Sequence, residues 1–220
     1  MRREAITKAV MGSAVVLCLA LPATADTVSY FDNFAFPLSP GNTTLTLDKF
    51  DDAGGTLTLT KVTLVMTAEV GSNITVENDS SLPAPDFEIS LTGLVTATAQ
   101  DLAVTAAMSE SWACSLDPND TFPGTGPDFH DFGYLGDIDA DSDEIPPGDL
   151  GYYVGSGGDT TFDVNIEGSA GWGFSGSTNA TLVVSGLGAS GCVTVTYEYV
   201  PEPSTICLLA CGLLLLRRPS

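Results

Sequence analysis

From Val28 onward apolar and polar residues alternate with period two, the spacing that turns one face of a strand to a core and the other to water. Phe87, Ile89 and Leu91 alternate with Asp86, Glu88, Ser90 and Thr92, and Phe162, Val164 and Ile166 with Thr161, Asp163, Asn165 and Glu167. In the clearest run Val193, Val195, Tyr197 and Tyr199 share one face, while Thr194, Thr196 and Glu198 share the other. Leu57 and Leu59 are out of phase with Val62, Leu64 and Met66, which requires a bulge or turn near Thr60-Lys61. One bent strand or two strands satisfy that pattern. Leu102, Val104, Ala106 and Met108 also alternate and read as a strand, although propensity alone allows a helix from Gln100 to Ser109. Turn-forming clusters such as Ser39-Pro40-Gly41-Asn42 and Asp51-Asp52-Ala53-Gly54-Gly55 separate the runs. Many short strands so punctuated predict an all-β fold, an antiparallel β-sandwich of jelly-roll-like form.

The two ends depart from this pattern. Residues 1–25 combine a basic start (Arg2, Arg3, Lys8), an apolar stretch from Ala9 to Leu21 and the small-residue site Ala23-Thr24-Ala25 before Asp26. That order predicts a secretory signal peptide cleaved after Ala25, with signal peptidase as partner. The competing membrane-anchor reading is weakened by Pro22 and by a run short of the roughly 20 residues a span needs. At the other end Pro201-Glu202-Pro203 precedes an apolar run from Ile206 to Leu216 and the pair Arg217-Arg218. A short helix there rises only ~18 Å against a hydrocarbon core of about 30 Å, so it suits transient insertion with its arginines held inside. A weak retained tail anchor is the alternative. The expected organisation is a signal peptide at 1–25, a β domain at 26–200 and a tail at 201–220.

Pro201, Glu202 and Pro203, the apolar helix and the closing Arg217 and Arg218 resemble the PEP-CTERM sorting signal of Gram-negative bacteria. The resemblance covers about the last 20 residues and implies recognition by exosortase, removal of the tail and delivery to the cell surface or an exopolysaccharide layer. Further landmarks resemble the choice-of-anchor E domain: Phe50-Asp51, Gly55-Thr56-Leu57, Val62-Thr63-Leu64, Glu77-Asn78, Asp131-Phe132-Gly133 and Val193 to Tyr199. The chain departs from that pattern around Leu57 to Thr60 and in the acidic stretch from Asp117 to Asp149. This second resemblance implies a β-rich exported domain and brings no catalytic residues with it.

Charge narrows the partners. The chain carries a formal −21, and five of its seven cations lie in the two end segments. Residues 26–200 hold 26 acidic side chains against Lys49 and Lys61, a net of 2 minus 26, or −24. Nucleic acids and anionic lipid surfaces select basic faces, so both are excluded as partners of the β domain.

Candidate chemistry is sparse. Asp137, Asp139, Asp141 and Asp143 place a carboxylate at every second position, a set able to wrap Ca²⁺ in a loop, with Asp117 and Asp120 as further ligands if the loops meet. The stretch is not an EF-hand, since Ser142 stands where that loop needs Gly and Gly148 where it needs Glu. A solvated acidic loop is the simpler expectation. Once the end segments are removed only Cys114 and Cys192 remain, a candidate disulfide in an oxidising compartment. His130, the one histidine, lies between Asp128 and Asp131 and reads as solvated. Trp112, Tyr134, Tyr152, Tyr153 and Trp172 offer either a sugar-stacking platform or core packing, with Trp172, flanked by Gly171 and Gly173, the one expected to be exposed. The leading expectation is a non-enzymatic exported surface or matrix protein without an obligatory cofactor. Its rivals are a calcium-dependent carbohydrate-binding module and, behind that, a glycan hydrolase.

Overall fold

A computed structural model describes residues 24–202 apart from 146, 147 and 149. Residues 1–23 of the expected signal peptide, Ala23 among them, the apolar tail helix, and Pro203, Arg217 and Arg218 lie outside the described residues.

Eight strands follow one another: β1 (Asp26–Pro37), β2 (Gly41–Asp48), β3 (Leu57–Asn78), β4 (Ala84–Ala99), β5 (Leu102–Leu116), β6 (Phe129–Ile145), β7 (Thr161–Ser175) and β8 (Ala180–Pro201). They form two four-stranded sheets in the orders β1-β8-β3-β6 and β2-β7-β4-β5, with every neighbouring pair antiparallel. The sheets face one another across the core, so the fold is an antiparallel β-sandwich.

The alternation chooses the inward faces. Val62, Leu64, Met66, Ala68 and Val70 of β3 and Val193, Val195 and Tyr197 of β8 are fully buried, and meet Leu91, Val95, Ala97, Val164 and Ile166 of the other sheet in one cluster. Each Val, Leu, Ile or Met among them contributes about 1.5–3 kcal/mol by leaving water, which is what fixes the register. Inward parity on β3 jumps from Leu59 to Val62, and the β3–β8 register shifts between Leu59 and Lys61, so the phase break is a bulge within one long strand. A second cluster at one end of the sandwich holds Ile74, Val76, Ala84, Phe87, Ile89 and Leu116.

Trp112 and Trp172 join the two clusters. Their rings lie 5.5 Å apart between centroids. Trp172 therefore corrects the expectation of an exposed ring: it has the inward parity of Phe162, Val164 and Ile166, and its glycine neighbours occupy outward positions of β7. A single 3₁₀ turn at Leu150–Tyr153 carries Tyr153 into the core, where its hydroxyl donates to Ala99 O at 2.8 Å. The last strand runs past the expected boundary at 200. Pro201 is paired with Leu57, Glu202 N donates to Thr56 O at 2.9 Å, and the Thr58 hydroxyl donates to the Glu202 carboxylate.

Candidate functional site

Strand β6 ends one sheet and β5 ends the other, so each leaves a row of backbone N–H groups with no neighbouring strand. Along β6 the residues paired with the inward positions Leu64, Met66, Ala68 and Val70 of β3 are Asp143, Asp141, Asp139 and Asp137. Their side chains share the inward direction, but at the margin of the sandwich that direction leads to β5. Each carboxylate reaches one N–H of that strand: Ala103 N donates to Asp143 Oδ2 at 3.0 Å, Thr105 N to Asp141 Oδ2 at 2.8 Å, Ala107 N to Asp139 Oδ2 at 2.8 Å and Ser109 N to Asp137 Oδ2 at 3.0 Å. The second oxygen of Asp137 accepts from Ile138 N and that of Asp143 from Glu144 N, both at 2.9 Å. Each of these two carboxylates thus takes an N–H from both edge strands, as the carbonyls of a missing strand would.

This arrangement corrects the reading of Gly136 to Glu144 as a loop, whether solvated or wrapped about calcium. The stretch is a strand, because Asp at alternate positions with Ile138 and Ala140 between them is itself a period-two pattern. Alternate side chains on a strand stand roughly 6.8 Å apart, so the four carboxylates form a row instead of converging on one ion. Among the described residues no group of three or more His, Cys, Asp or Glu side chains is placed to hold a metal. The seam has an electrostatic signature at Asp139: hydrogen bonds from Ala107 N and then Ala140 N hold its carboxyl below the ordinary aspartate range.

The remaining candidates separate in space. Cys114 lies on β5 with the parity of the buried Leu116, whereas Cys192 lies on β8 in the other sheet with the outward parity of Thr194. Both are free thiols, which corrects the expected disulfide: two strands in opposite sheets, with side chains on different sides, cannot satisfy the geometry of the bond. Burial raises the Cys114 thiol above its ordinary range. His130 is exposed and packs edge-on against Phe132, with centroids 4.5 Å apart. Asp117 and Asp120 lie in the β5–β6 loop and take no part in the seam.

Two surface grooves stand out among the described residues. One, of about 460 Å³, lies over the outer face of the β2-β7-β4-β5 sheet and is lined by Asn42, Leu94, Thr96, Glu167 and Ser169, with no aromatic ring. The other, of about 440 Å³, crosses the outer face of the opposite sheet, where Pro37, Gly188, Gly71 and Gly136 lie in one register row. The missing side chains there leave a trough. Tyr134 borders it, half exposed, with its hydroxyl on Glu69 Oε1 at 2.9 Å. Burial, and then Glu69, raise the Tyr134 hydroxyl above its ordinary range.

Sequence reasoning missed the recipients of the carboxylates, since the N–H groups of β5 carry no side-chain signal. It also missed the burial of Asp128, which is fully buried at the end of the loop that leads into β6.

No family model matches the chain, and no curated protein does. Among solved structures, T=1 particles derived from infectious bursal virus are 11% identical over 90% of this chain and 47% of the viral chain, with a TM-score of 0.20. The infectious bursal disease virus Gt strain is 14% identical over 83% of this chain and 42% of that one, with a TM-score of 0.12. The chain spans less than half the length of these viral chains, and at such scores the likeness carries no argument about its fold or role.

Proposed function

We propose that the chain is an exported, non-enzymatic surface or matrix protein, a jelly-roll domain delivered by an N-terminal signal peptide and sorted by exosortase through its PEP-CTERM tail. The strand orders β1-β8-β3-β6 and β2-β7-β4-β5 fit a jelly roll, eight strands wound as two Greek keys. The observation that carries the structural role is the carboxylate seam. It occupies the donors of two free edges that would otherwise recruit strands from other copies, which suits a domain held at high density outside the cell. The β domain's acidity then has a positive use in closing the sandwich.

The test is the intact mass of the protein recovered from the surface or medium of its host. A mass beginning at Asp26 and ending near Pro201 to Pro203 supports both processing steps. One that retains Ile206 to Ser220 replaces sorting by a retained anchor.

A carbohydrate-binding reading is favoured by one feature, the glycine-floored trough beside Tyr134 and Glu69. A half-exposed ring over a floor without side chains is a surface on which a sugar can stack. Saturable glycan binding lost on Tyr134→Ala would support it, and binding that survives that change would exclude this trough.

A further inference from the structure

The end of the sandwich that holds the second core cluster carries a loop pinned at several points. Asp117 N donates to Pro127 O at 3.1 Å, Asn119 N to Ser80 O at 2.9 Å and Asn78 Nδ2 to Asp117 O at 2.7 Å. Gly124 N donates to Glu77 Oε2 at 2.9 Å. Inside the loop, Asp128 is fully buried; its Oδ2 accepts from Asp120 N at 2.8 Å, while its Oδ1 has no hydrogen-bond partner. Asp128 Oδ1 and Asp120 Oδ2 both lie within 3.0 Å of the point a Cβ on Gly126 would occupy, so only glycine, here at φ +103°, lets the two carboxylates stand beside that Cα.

Two carboxylate oxygens thus stand beside the same Cα, one of them buried and without a donor. A buried charge without a partner is costly, and two like charges across one space add to the cost. A hard cation between them removes both penalties. The geometry points to a calcium site at Asp120 and Asp128, set by Gly126 and completed by backbone carbonyls of the loop and by water. Calcium fits better than magnesium, because it accepts six to eight oxygens in irregular geometry, whereas magnesium demands a near-octahedral set at about 2.0–2.1 Å. This site lies apart from the row of Asp137 to Asp143 and does not depend on how the tail is sorted.

The test is calcium titration of the purified full chain after removal of divalent ions with a chelator, followed by calorimetry and by thermal unfolding. The expected result is one calcium per chain, with a Tm rise of roughly 5–10 °C when calcium stands about a hundredfold above Kd. Asp120→Asn and Asp128→Asn should each weaken binding at least about tenfold, Asp139→Asn should leave it unchanged, and magnesium should bind at least about tenfold more weakly. If Asp128→Asn does not fold, Asp120→Asn, whose side chain lies on the loop, gives the same reading. No heat and no Tm shift up to about 10 mM calcium would overturn the site, as would binding that survives Asp120→Asn or is lost in Asp139→Asn. Equal affinity for magnesium would overturn the assignment to calcium.

Discussion

Asp143 is the position at which the energetics of the seam are most cleanly read, because it stands at the end of the row. Replacing it by Ala removes the acceptor of Ala103 N at 3.0 Å and of Glu144 N at 2.9 Å. A hydrogen bond to a charged group is worth about 1.5–3 kcal/mol in sheltered surroundings, and the part exposure of Asp143 lowers this to about 0.5 kcal/mol for each of the two, about 1 kcal/mol together. An opposite effect must be weighed against that loss. Removing one charge relieves repulsion from Asp141, roughly 6.8 Å away along the strand, which is about 0.6 kcal/mol in water and about half that after screening by physiological salt. The lost acceptor wins. Asp143→Ala should lower stability by about 0.7 kcal/mol, a fall in Tm of roughly 1–3 °C, while Asp143→Asn, which keeps an acceptor and loses the charge, should lie close to wild type. Amide exchange supplies the local reading, since Ala103 N–H should exchange faster in the Ala variant and Ser109 N–H, at the far end of the row, should not. An Ala variant as stable as wild type, with Ala103 protection unchanged, would refute the view that the carboxylates hold the edge.

The pH limits of the fold follow from three groups. Asp139 has a lowered folded pKa, so its contribution is complete above the ordinary aspartate value and is lost as pH falls through the lowered one; amide protection at Ala107 should therefore persist at the pH where an ordinary aspartate protonates and be lost only on further acidification. Tyr153 and Tyr197 are raised, chiefly by burial, so their contribution is complete below the ordinary tyrosine value near 10 and is lost as pH rises past it. Tyr197→Phe should flatten the alkaline limb of a stability curve followed by circular dichroism, at a cost of about 1–3 kcal/mol at neutral pH for leaving Asp48 O without its donor at 2.9 Å. Alkylation in denaturant without reductant should modify both Cys114 and Cys192, and protection of the pair until reductant is added would contradict their placement in opposite sheets.

What was legible beforehand follows from the source of each signal. Alternation reports burial on one face, so β4, β5, β7 and β8 were readable, and the phase break at Thr60-Lys61 was readable as a bulge or a turn, which the pairing of β3 with β8 resolves to a bulge. The same rule failed for β6 because its inward positions are aspartates: the period of two was present, but the residue type argued for a loop. An edge strand is where that conflict can be tolerated, since its inward side chains reach the rim of the sandwich instead of the core. Trp172 failed for the complementary reason. Glycines on either side suggested an open ring, yet on a strand the neighbours of an inward residue point outward, and small outward neighbours say nothing of the face between them. Asp128 was beyond reach, because only the folded loop shows that it is buried and that it stands with Asp120 beside Gly126.

The aspartates of β1 extend the logic of the seam to another edge. This strand also lies at the end of its sheet, and there Asp26 Oδ1 accepts from Thr27 N and Asp32 Oδ1 from Asn33 N, each at 2.8 Å. These are the same self-capping contacts that Asp137 and Asp143 make on β6. An aspartate on an edge strand does two things at once: it occupies a donor that a second chain would need, and it places a negative charge where that chain would have to approach. Lysine could supply only the charge, because it has no acceptor to offer a backbone N–H. The donors left at strand edges therefore account for Asp in place of Lys at these six positions, Asp26, Asp32, Asp137, Asp139, Asp141 and Asp143. On the proposed role, the same feature lets many copies crowd in a polymer layer without their sheets joining edge to edge.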